Sequence, residues 1–111
     1  MIRVLSAAEC ESVRASLRDM EWSAGRARTE ALTGTVKRNE EILQSSNPGA
    51  QRLLGEIGQR IIAHKLVQLQ ALPRQIHQPK FSRYSTGAYY HEHTDAPWMG
   101  QTRTDLSCTL W

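Results

Sequence analysis

The chain changes its hydrophobic pattern near residue 71, and this change restricts the fold more than any other feature of its 111 residues. Before that point, apolar residues recur at the spacing of an amphipathic helix. The strongest such stripe comprises Leu53, Leu54, Ile57, Ile61 and Ile62. After it, prolines, aromatic residues and alternating apolar positions are typical of strands and turns. Helices followed by strands predict an α+β fold, with amino-terminal helices packed on an antiparallel sheet.

Two helix starts are marked by their own residues. Ser6 and Glu9 have the spacing of a capping box, and the apolar positions that follow predict an amphipathic helix over residues 6–20. Asn47 and Pro48 suit the N-cap and first position of a second helix, which should end near His64. Between the two, residues 21–27 predict a short strand or extended turn, and the type of residues 33–43 is ambiguous.

The last third of the chain divides into three predicted strands. They cover residues 75–84, 88–95 and 103–111, with a turn at Ser85–Gly87 and a loop over residues 96–101. We therefore expect residues 1–70 to form a helical or mixed support region and residues 71–111 to form the first strands of a sheet. Because the last strand stops within an apolar run, we expect an amino-terminal portion of a longer protein, whose unpaired edge invites self-association.

Composition narrows the functional classes. The net charge of +3 is scattered along the chain, without the dense basic run or aromatic stripe of a nucleic-acid binder. The sequence has no run of apolar residues that could span a membrane. Its two cysteines, Cys10 and Cys108, lie far apart and lack metal-type spacing, so we expect a reduced, cytoplasmic setting.

The most informative chemical feature is a cluster of metal-ligand residue types at His91, His93 and Asp95. On a strand, residues two apart share a face and lie about 6.6 Å from each other, so either adjacent pair could hold an ion. His93 with Asp95 would supply two ligands of a 2-His-1-carboxylate iron site. His91 with His93 would suit a cupin-like site, although the Glu expected soon afterwards is missing. The spacing alone leaves both pairs open, together with a plain surface role.

The surrounding residues add a family resemblance. Tyr84–Asp95 resembles the Tyr…Gly…Tyr…His-x-Asp block of prolyl-hydroxylase-like Fe(II)/2-oxoglutarate dioxygenases. Arg103–Leu110 resembles the Arg-Thr-Asp-Leu-Ser-x-Thr-Leu strand of the bacterial PKHD-type hydroxylases, and Val36–Asn39 resembles their Val-Lys-x-Asn segment. Leu72–Arg74 and Phe81–Tyr84 follow in the family's order. The resemblance covers nearly the whole chain.

This resemblance implies the fold and the chemistry of the family. The fold would be part of a double-stranded β-helix, or jelly roll, that is truncated here. The reaction would couple oxidative decarboxylation of 2-oxoglutarate to hydroxylation of a small-molecule or protein substrate that the sequence does not identify. Fe(II) would be the metal and L-ascorbate (vitamin C) would keep it reduced, with a link to iron homeostasis.

The resemblance also assigns site residues. His93 and Asp95 would bind iron, while Tyr84 and Thr109 would contact 2-oxoglutarate. The family's distal His ligand and its 2-oxoglutarate-binding Arg lie later in the fold and have no counterpart here, so we expect this 111-residue chain to be inactive. His91 replaces a usual Gly, and Ala96-Pro97 replaces an Asn-Ala pair. The alternative function is a non-catalytic metal-binding or interaction module.

Overall fold

The computed structural model describes residues 2–25, 37–77 and 79–111. The first four positions of the ambiguous segment, residues 33–36, therefore lie outside the described residues. The last two positions of the predicted extended stretch at residues 21–27 do so too. The described helices are α1 (Ala7–Arg18), α2 (Pro48–Ala63) and α3 (Lys65–Ala71), and a short 3-10 turn spans Gln44–Ser46. The described strands are β1 (Ser23–Ala24), β2 (Lys37–Arg38), β3 (Glu40–Glu41), β4 (Ser82–Arg83), β5 (Tyr89–Tyr90), β6 (Trp98–Met99) and β7 (Thr102–Arg103).

Helix α1 begins as its sequence predicts. The Ser6 hydroxyl accepts a hydrogen bond from the Glu9 amide at 3.2 Å, and the Glu9 carboxylate accepts one from the Ser6 amide at 2.8 Å. The bond from the Ser6 backbone, aided by Arg60, lowers the pKa of Glu9. The ion pair between Glu9 and Arg60 also ties α1 to α2. Because none of the residues of α1 is fully buried, this helix lies on the surface of the fold.

Helix α2 also starts where predicted, since the Asn47 side chain accepts a hydrogen bond from the Ala50 amide at 3.0 Å. The helix that follows was not predicted. At His64 the backbone leaves the helical conformation, and the His64 ring accepts a hydrogen bond from the Leu66 amide at 3.2 Å, which starts α3. An imidazole is an uncommon N-cap, so this second start is not visible as a capping motif in the sequence.

The strands form three small antiparallel sheets. β3 lies between β1 and β4, β2 pairs with β5, and β6 pairs with β7. Residues 37–41 therefore contribute to two sheets, with Asn39 at the junction. The Ser85–Gly87 turn is confirmed, with Gly87 at a φ of +81° that suits glycine.

The three strands predicted in the last third are much shorter than expected. The 75–84 strand is reduced to β4 and the 88–95 strand to β5, while residues 104–111 form no strand. Alternating apolar and polar residues indicate which face of a strand each side chain would occupy. A strand forms only where a second backbone pairs with it through hydrogen bonds. β4 and β5 each find such a partner over only two residues.

The buried apolar residues are few among those described. They are Ile42, Ala50, Leu54 and Ile57, of which three belong to α2 and one follows β3. In contrast, Leu106, Leu110 and Trp111 near the carboxyl end are exposed. The combination of helices with small antiparallel sheets confirms a mixed helix and sheet architecture, while the jelly-roll assignment stays a prediction. None of the described helices is long and apolar enough to cross a membrane.

Candidate metal site

The His93 and Asp95 side chains meet directly. His93 Nε2 lies 3.0 Å from Asp95 Oδ1, in the segment that follows β5. The expectation that a continuous strand aligns His91, His93 and Asp95 is wrong, because the strand ends at Tyr90. The pair is brought together by the irregular backbone after Tyr90. Asp95 remains largely open to solvent, whereas the His93 side chain is only 30% exposed.

Two contacts hold the His93 ring. Its Nδ1 lies 2.8 Å from the carbonyl oxygen of His91, to which it donates a hydrogen bond in the tautomer that carries the proton on Nδ1. The ring also stacks on Tyr90, with centroids 3.8 Å apart and planes 11° from parallel. Histidines that bind metals commonly donate their other N–H to a carbonyl or carboxylate, which fixes the tautomer and the ring orientation. Nε2 is therefore the nitrogen that faces the carboxylate.

This geometry suits a divalent cation between the two side chains. Both His93 nitrogens face an acceptor oxygen, whereas a neutral imidazole has a single N–H. A metal ion bound to Nε2 and to the Asp95 carboxylate would leave Nδ1 as the donor to the His91 carbonyl. Two ligands in adjacent positions of an octahedral ion, each about 2.1 Å from the metal, lie about 3.0 Å apart. His93 and Asp95 have this separation.

His91 occupies a different environment from His93. Its ring packs against Tyr89, with centroids 4.5 Å apart and planes tilted by 33°, while its backbone carbonyl contacts His93. In the part of the chain that the structure describes, no group of three His, Cys, Asp or Glu side chains surrounds a common point. Among His91, His93 and Asp95, the two side chains that contact each other directly are those of His93 and Asp95. The choice of these two as iron ligands stays a prediction.

A charged cluster around the buried Lys37 lies near Tyr90, and the sequence did not reveal it. Lys37, Glu41 and Lys80 form it: Glu41 Oε1 accepts hydrogen bonds from both lysines, with Lys80 Nζ at 2.9 Å. The Lys37 side chain is only 4% exposed, and its Nζ lies 5.2 Å from the centroid of the Tyr90 ring. Lys37 and Glu41 lie on one extended stretch, but Lys80 and Tyr90 reach them only through the tertiary fold.

The charged cluster shifts the pKa values of its members in opposite directions. Burial lowers the pKa of Lys37, although its bond to Glu41 partly offsets this effect. Burial alone would raise the pKa of Glu41, but the hydrogen bonds from Lys37 and Lys80 outweigh it and the pKa is lowered. For Lys80, burial is the largest single influence and lowers the pKa, but the hydrogen bond to Glu41 and the charge of that carboxylate together outweigh it, so the pKa is raised. Glu41 thus remains a carboxylate between two ammonium groups.

Asn39 is buried at the junction of the two sheets. It is 7% exposed, and a hydrogen bond from its side chain acts to lower the pKa of the nearby Tyr84 phenol. A Cβ on Gly25 would lie 1.8 Å from Asn39 Oδ1, so glycine at that position leaves the room that this side chain fills. The Gly25 amide also donates to the Asn39 carbonyl at 2.9 Å. The two residues therefore fix one another.

The two residues expected to contact 2-oxoglutarate lie in different surroundings. Tyr84 follows β4 and is 45% exposed. Burial raises the pKa of its phenol, and the nearby Tyr90 and Glu41 act in the same direction, so the hydroxyl stays a neutral donor. Thr109 lies in the exposed stretch after β7, where the predicted strand is not formed. Within the described ranges no hydrogen bond joins Thr109 to His93 or Asp95, and both assignments stay predictions.

The loop after the pair is closed by a small hairpin. β6 and β7 pair over two residues each, and the Thr104 hydroxyl donates to the Ala96 carbonyl at 2.6 Å. The Thr104 amide donates to the Pro97 carbonyl at 2.9 Å. These bonds anchor the backbone immediately after Asp95. Ala96 and Pro97 therefore lie in a hydrogen-bonded segment at the start of the hairpin.

Comparison with known proteins finds curated relatives that are named hydroxylases. A PKHD-type hydroxylase of Acidovorax ebreus (strain TPSY) is 40% identical over 115 residues, which span 98% of this chain and 50% of that protein. A PKHD-type hydroxylase of Bordetella pertussis (strain Tohama I) is 38% identical, over 94% of this chain and 48% of its own length. PKHD-type hydroxylase YbiX of Shigella boydii serotype 18 is 35% identical, over 97% of this chain and 50% of its own length.

The chain is a homologue of the PKHD-type hydroxylases, and the resemblance predicted from its motifs is confirmed. It spans about half the length of the curated relatives it matches. No protein-family model matches it. No solved structure matches it either.

Proposed function

We propose that this chain supplies the His-x-Asp part of the iron site in an Fe(II)- and 2-oxoglutarate-dependent hydroxylase. The observation that carries the proposal is the 3.0 Å contact between His93 Nε2 and Asp95 Oδ1, with His93 Nδ1 bonded to a backbone carbonyl. The homology to PKHD-type hydroxylases supports the same reaction class. When bound, Fe(II) would supply the activation of O2 that hydroxylation requires.

The residues of this chain would do three things for that chemistry. His93 and Asp95 would hold the ion on one side and leave its other positions open. The His91 carbonyl would keep the proton on Nδ1, so that the Nε2 lone pair is directed at the metal. Tyr84 would present a neutral phenol to a 2-oxoglutarate carboxylate, because its raised pKa keeps the hydroxyl protonated. A substrate would then be held against the open positions.

Anaerobic titration calorimetry with Fe(II), with and without 2-oxoglutarate, tests the site in this chain. We expect measurable but weak binding by the wild type, and loss of that binding in the double variant His93→Ala, Asp95→Ala. His91→Ala is the matched control, because it removes the rival imidazole while keeping the backbone carbonyl that orients His93. We expect this control to bind Fe(II) as the wild type does.

The titration also separates the alternatives. Loss of binding in His91→Ala with retention in the double variant would move the metal to the other pair and contradict the proposal. Wild-type binding by all variants would place the ion elsewhere. Fe(II) binding that depends on His93 and Asp95 but is unaffected by 2-oxoglutarate would support a metal-binding module in this chain rather than the cosubstrate contact assigned to Tyr84.

A further inference from the structure

We propose that Tyr90 is a positioning residue that orients His93, and that the buried Lys37 in turn holds Tyr90. This inference rests on the proposed metal site, and it adds residues that the metal motif itself does not contain. Its basis is a continuous series of contacts from the charged cluster to the metal pair. Glu41 pairs with Lys37, Lys37 lies over Tyr90, Tyr90 stacks on His93, and His93 faces Asp95.

His93 needs such support because its own backbone is irregular. In a regular strand the sheet fixes the direction of each side chain, but β5 ends at Tyr90 and His93 lies three residues beyond it. The hydrogen bond to the His91 carbonyl fixes one point of the ring and leaves rotation about that bond open. Parallel contact with Tyr90 at 3.8 Å and 11° fixes the ring plane. Together the two contacts aim Nε2 at Asp95.

Tyr90 can act in this way because its own position is fixed by pairing in the sheet and by contact with Lys37. It belongs to β5, and its direct partner across the sheet is Lys37 in β2. The ammonium group of Lys37 lies 5.2 Å from the ring centroid, within the range of a cation–π interaction. Lys37 is itself almost fully buried and bonded to Glu41, so it cannot swing away into solvent. The charged cluster therefore supports Tyr90, whose side chain is otherwise exposed.

The first test needs no metal. In the full 111-residue chain with isotope-labelled histidine, the ring protons of His93 should be shifted upfield in NMR spectra by the Tyr90 ring current. Tyr90→Leu should abolish this shift, and Tyr90→Phe should keep it. Tyr89→Leu is the matched control in the same strand, because Tyr89 contacts His91 and its loss should move only the His91 signals. Unchanged His93 signals in Tyr90→Leu would overturn the stack.

The second test links the stack to the metal. We expect Tyr90→Leu to weaken Fe(II) binding about tenfold, the lower end of the usual effect of a residue that orients a ligand. Tyr90→Phe should bind within about twofold of the wild type. Lys37→Met, which leaves Glu41 paired with Lys80, should weaken binding about threefold, in line with the loss of one cation–π contact. Lys37→Met also remains informative if Tyr90→Leu fails to fold.

The two failures are distinguishable. If the double variant His93→Ala, Asp95→Ala loses Fe(II) binding but Tyr90→Leu and Lys37→Met bind Fe(II) like the wild type, the positioning role is wrong and the metal site stands. If the double variant binds Fe(II) normally, the metal site itself is wrong, and the positioning role is overturned with it. Tenfold weaker binding in Tyr90→Leu that Tyr90→Phe restores supports the role, because a merely structural loss would also affect the Tyr89→Leu control.

Discussion

Residues 37–63 and residues 98–111 of this chain both contain large apolar side chains but differ in what they bury. The first region contains all four buried apolar residues found among the described positions, together with the buried Lys37 and Asn39. In the second, Trp98, Leu106, Leu110 and Trp111 are all exposed, and Trp111 is 98% exposed. In the sequence, the His93–Asp95 pair lies between these regions. One side of the site thus rests on packed residues and the other on a surface without a core.

This difference in burial indicates which part of the chain supports the positions of His93 and Asp95. Burial of apolar side chains is the main source of stability, so the first region should decide whether the chain folds. The second region includes backbone and side-chain hydrogen bonds near Ala96 and Thr104. Tyr90 and Lys37 connect the pair to the stable side. Substitutions in the two regions should therefore have very unequal effects, which the following comparisons test.

The largest contrast should come from the same substitution made in each region. Leu54→Ala removes a side chain that is 3% exposed and should lower the free energy of unfolding by about 2–5 kcal/mol. Leu106→Ala removes one that is 73% exposed and should cost less than about 0.5 kcal/mol. Urea unfolding followed by circular dichroism measures both. Similar losses in the two variants would contradict the division into a packed and an open region.

The charged cluster provides the second contrast. Glu41→Gln leaves Lys37 buried without a carboxylate and should cost about 2 kcal/mol at neutral pH. Glu40→Gln removes a carboxylate that pairs with Arg83 at the surface and should cost no more than about 1 kcal/mol. Unfolding experiments on both variants at neutral pH compare them. Equal losses would mean that burial of Lys37 adds nothing to the pair.

The same carboxylate predicts a pH dependence. The pKa of Glu41 in the folded chain is below the usual 4.5, so its contribution to stability is present above that value and is lost as the pH falls through the folded pKa. The wild type should therefore lose stability below about pH 4.5, and Glu41→Gln should show a smaller change over the same interval. Thermal unfolding from about pH 6 to about pH 3 measures the difference.

Two glycines should respond oppositely to alanine. Gly25→Ala places a Cβ 1.8 Å from Asn39 Oδ1 and should cost about 1–3 kcal/mol, because the buried amide has to move. Gly55→Ala lies within α2 with no neighbouring atom inside 4 Å and should stabilise the chain by about 0.5–1 kcal/mol. The denaturant midpoints of the two variants show whether each substitution raises or lowers the free energy of unfolding. A stable Gly25→Ala variant would show that Asn39 is free to leave its buried position.

The smallest effect should come from the open region. Thr104→Val removes the hydroxyl that bonds to the Ala96 carbonyl and should cost about 0.5–1 kcal/mol, since both groups lie at the surface. The loss should be local. Hydrogen exchange should therefore be faster at the amide of Thr104 and unchanged in α2. A global loss of protection would show that this hairpin contributes to the stability of the packed region.

The sequence predicts the local features of this fold and misses those that depend on distant partners. Ser6 with Glu9 and Asn47 with Pro48 mark helix starts because a cap involves residues only a few positions apart. Strand lengths were overestimated because pairing with β2 and β3 covers two residues each. The motif resemblance singles out His93 and Asp95, whose role as iron ligands stays a prediction. The support from Tyr90 and Lys37 was not predicted, since it joins positions that are far apart in the chain.

The bond from His93 to the backbone of His91 has an evolutionary consequence. Every amino acid offers the same carbonyl, so the role of position 91 in orienting His93 does not depend on its side chain. The imidazole at position 91 is therefore compatible with the contact between His93 and Asp95. Other side chains should therefore be tolerated at position 91. A reporter group attached there would lie beside the His93 ring.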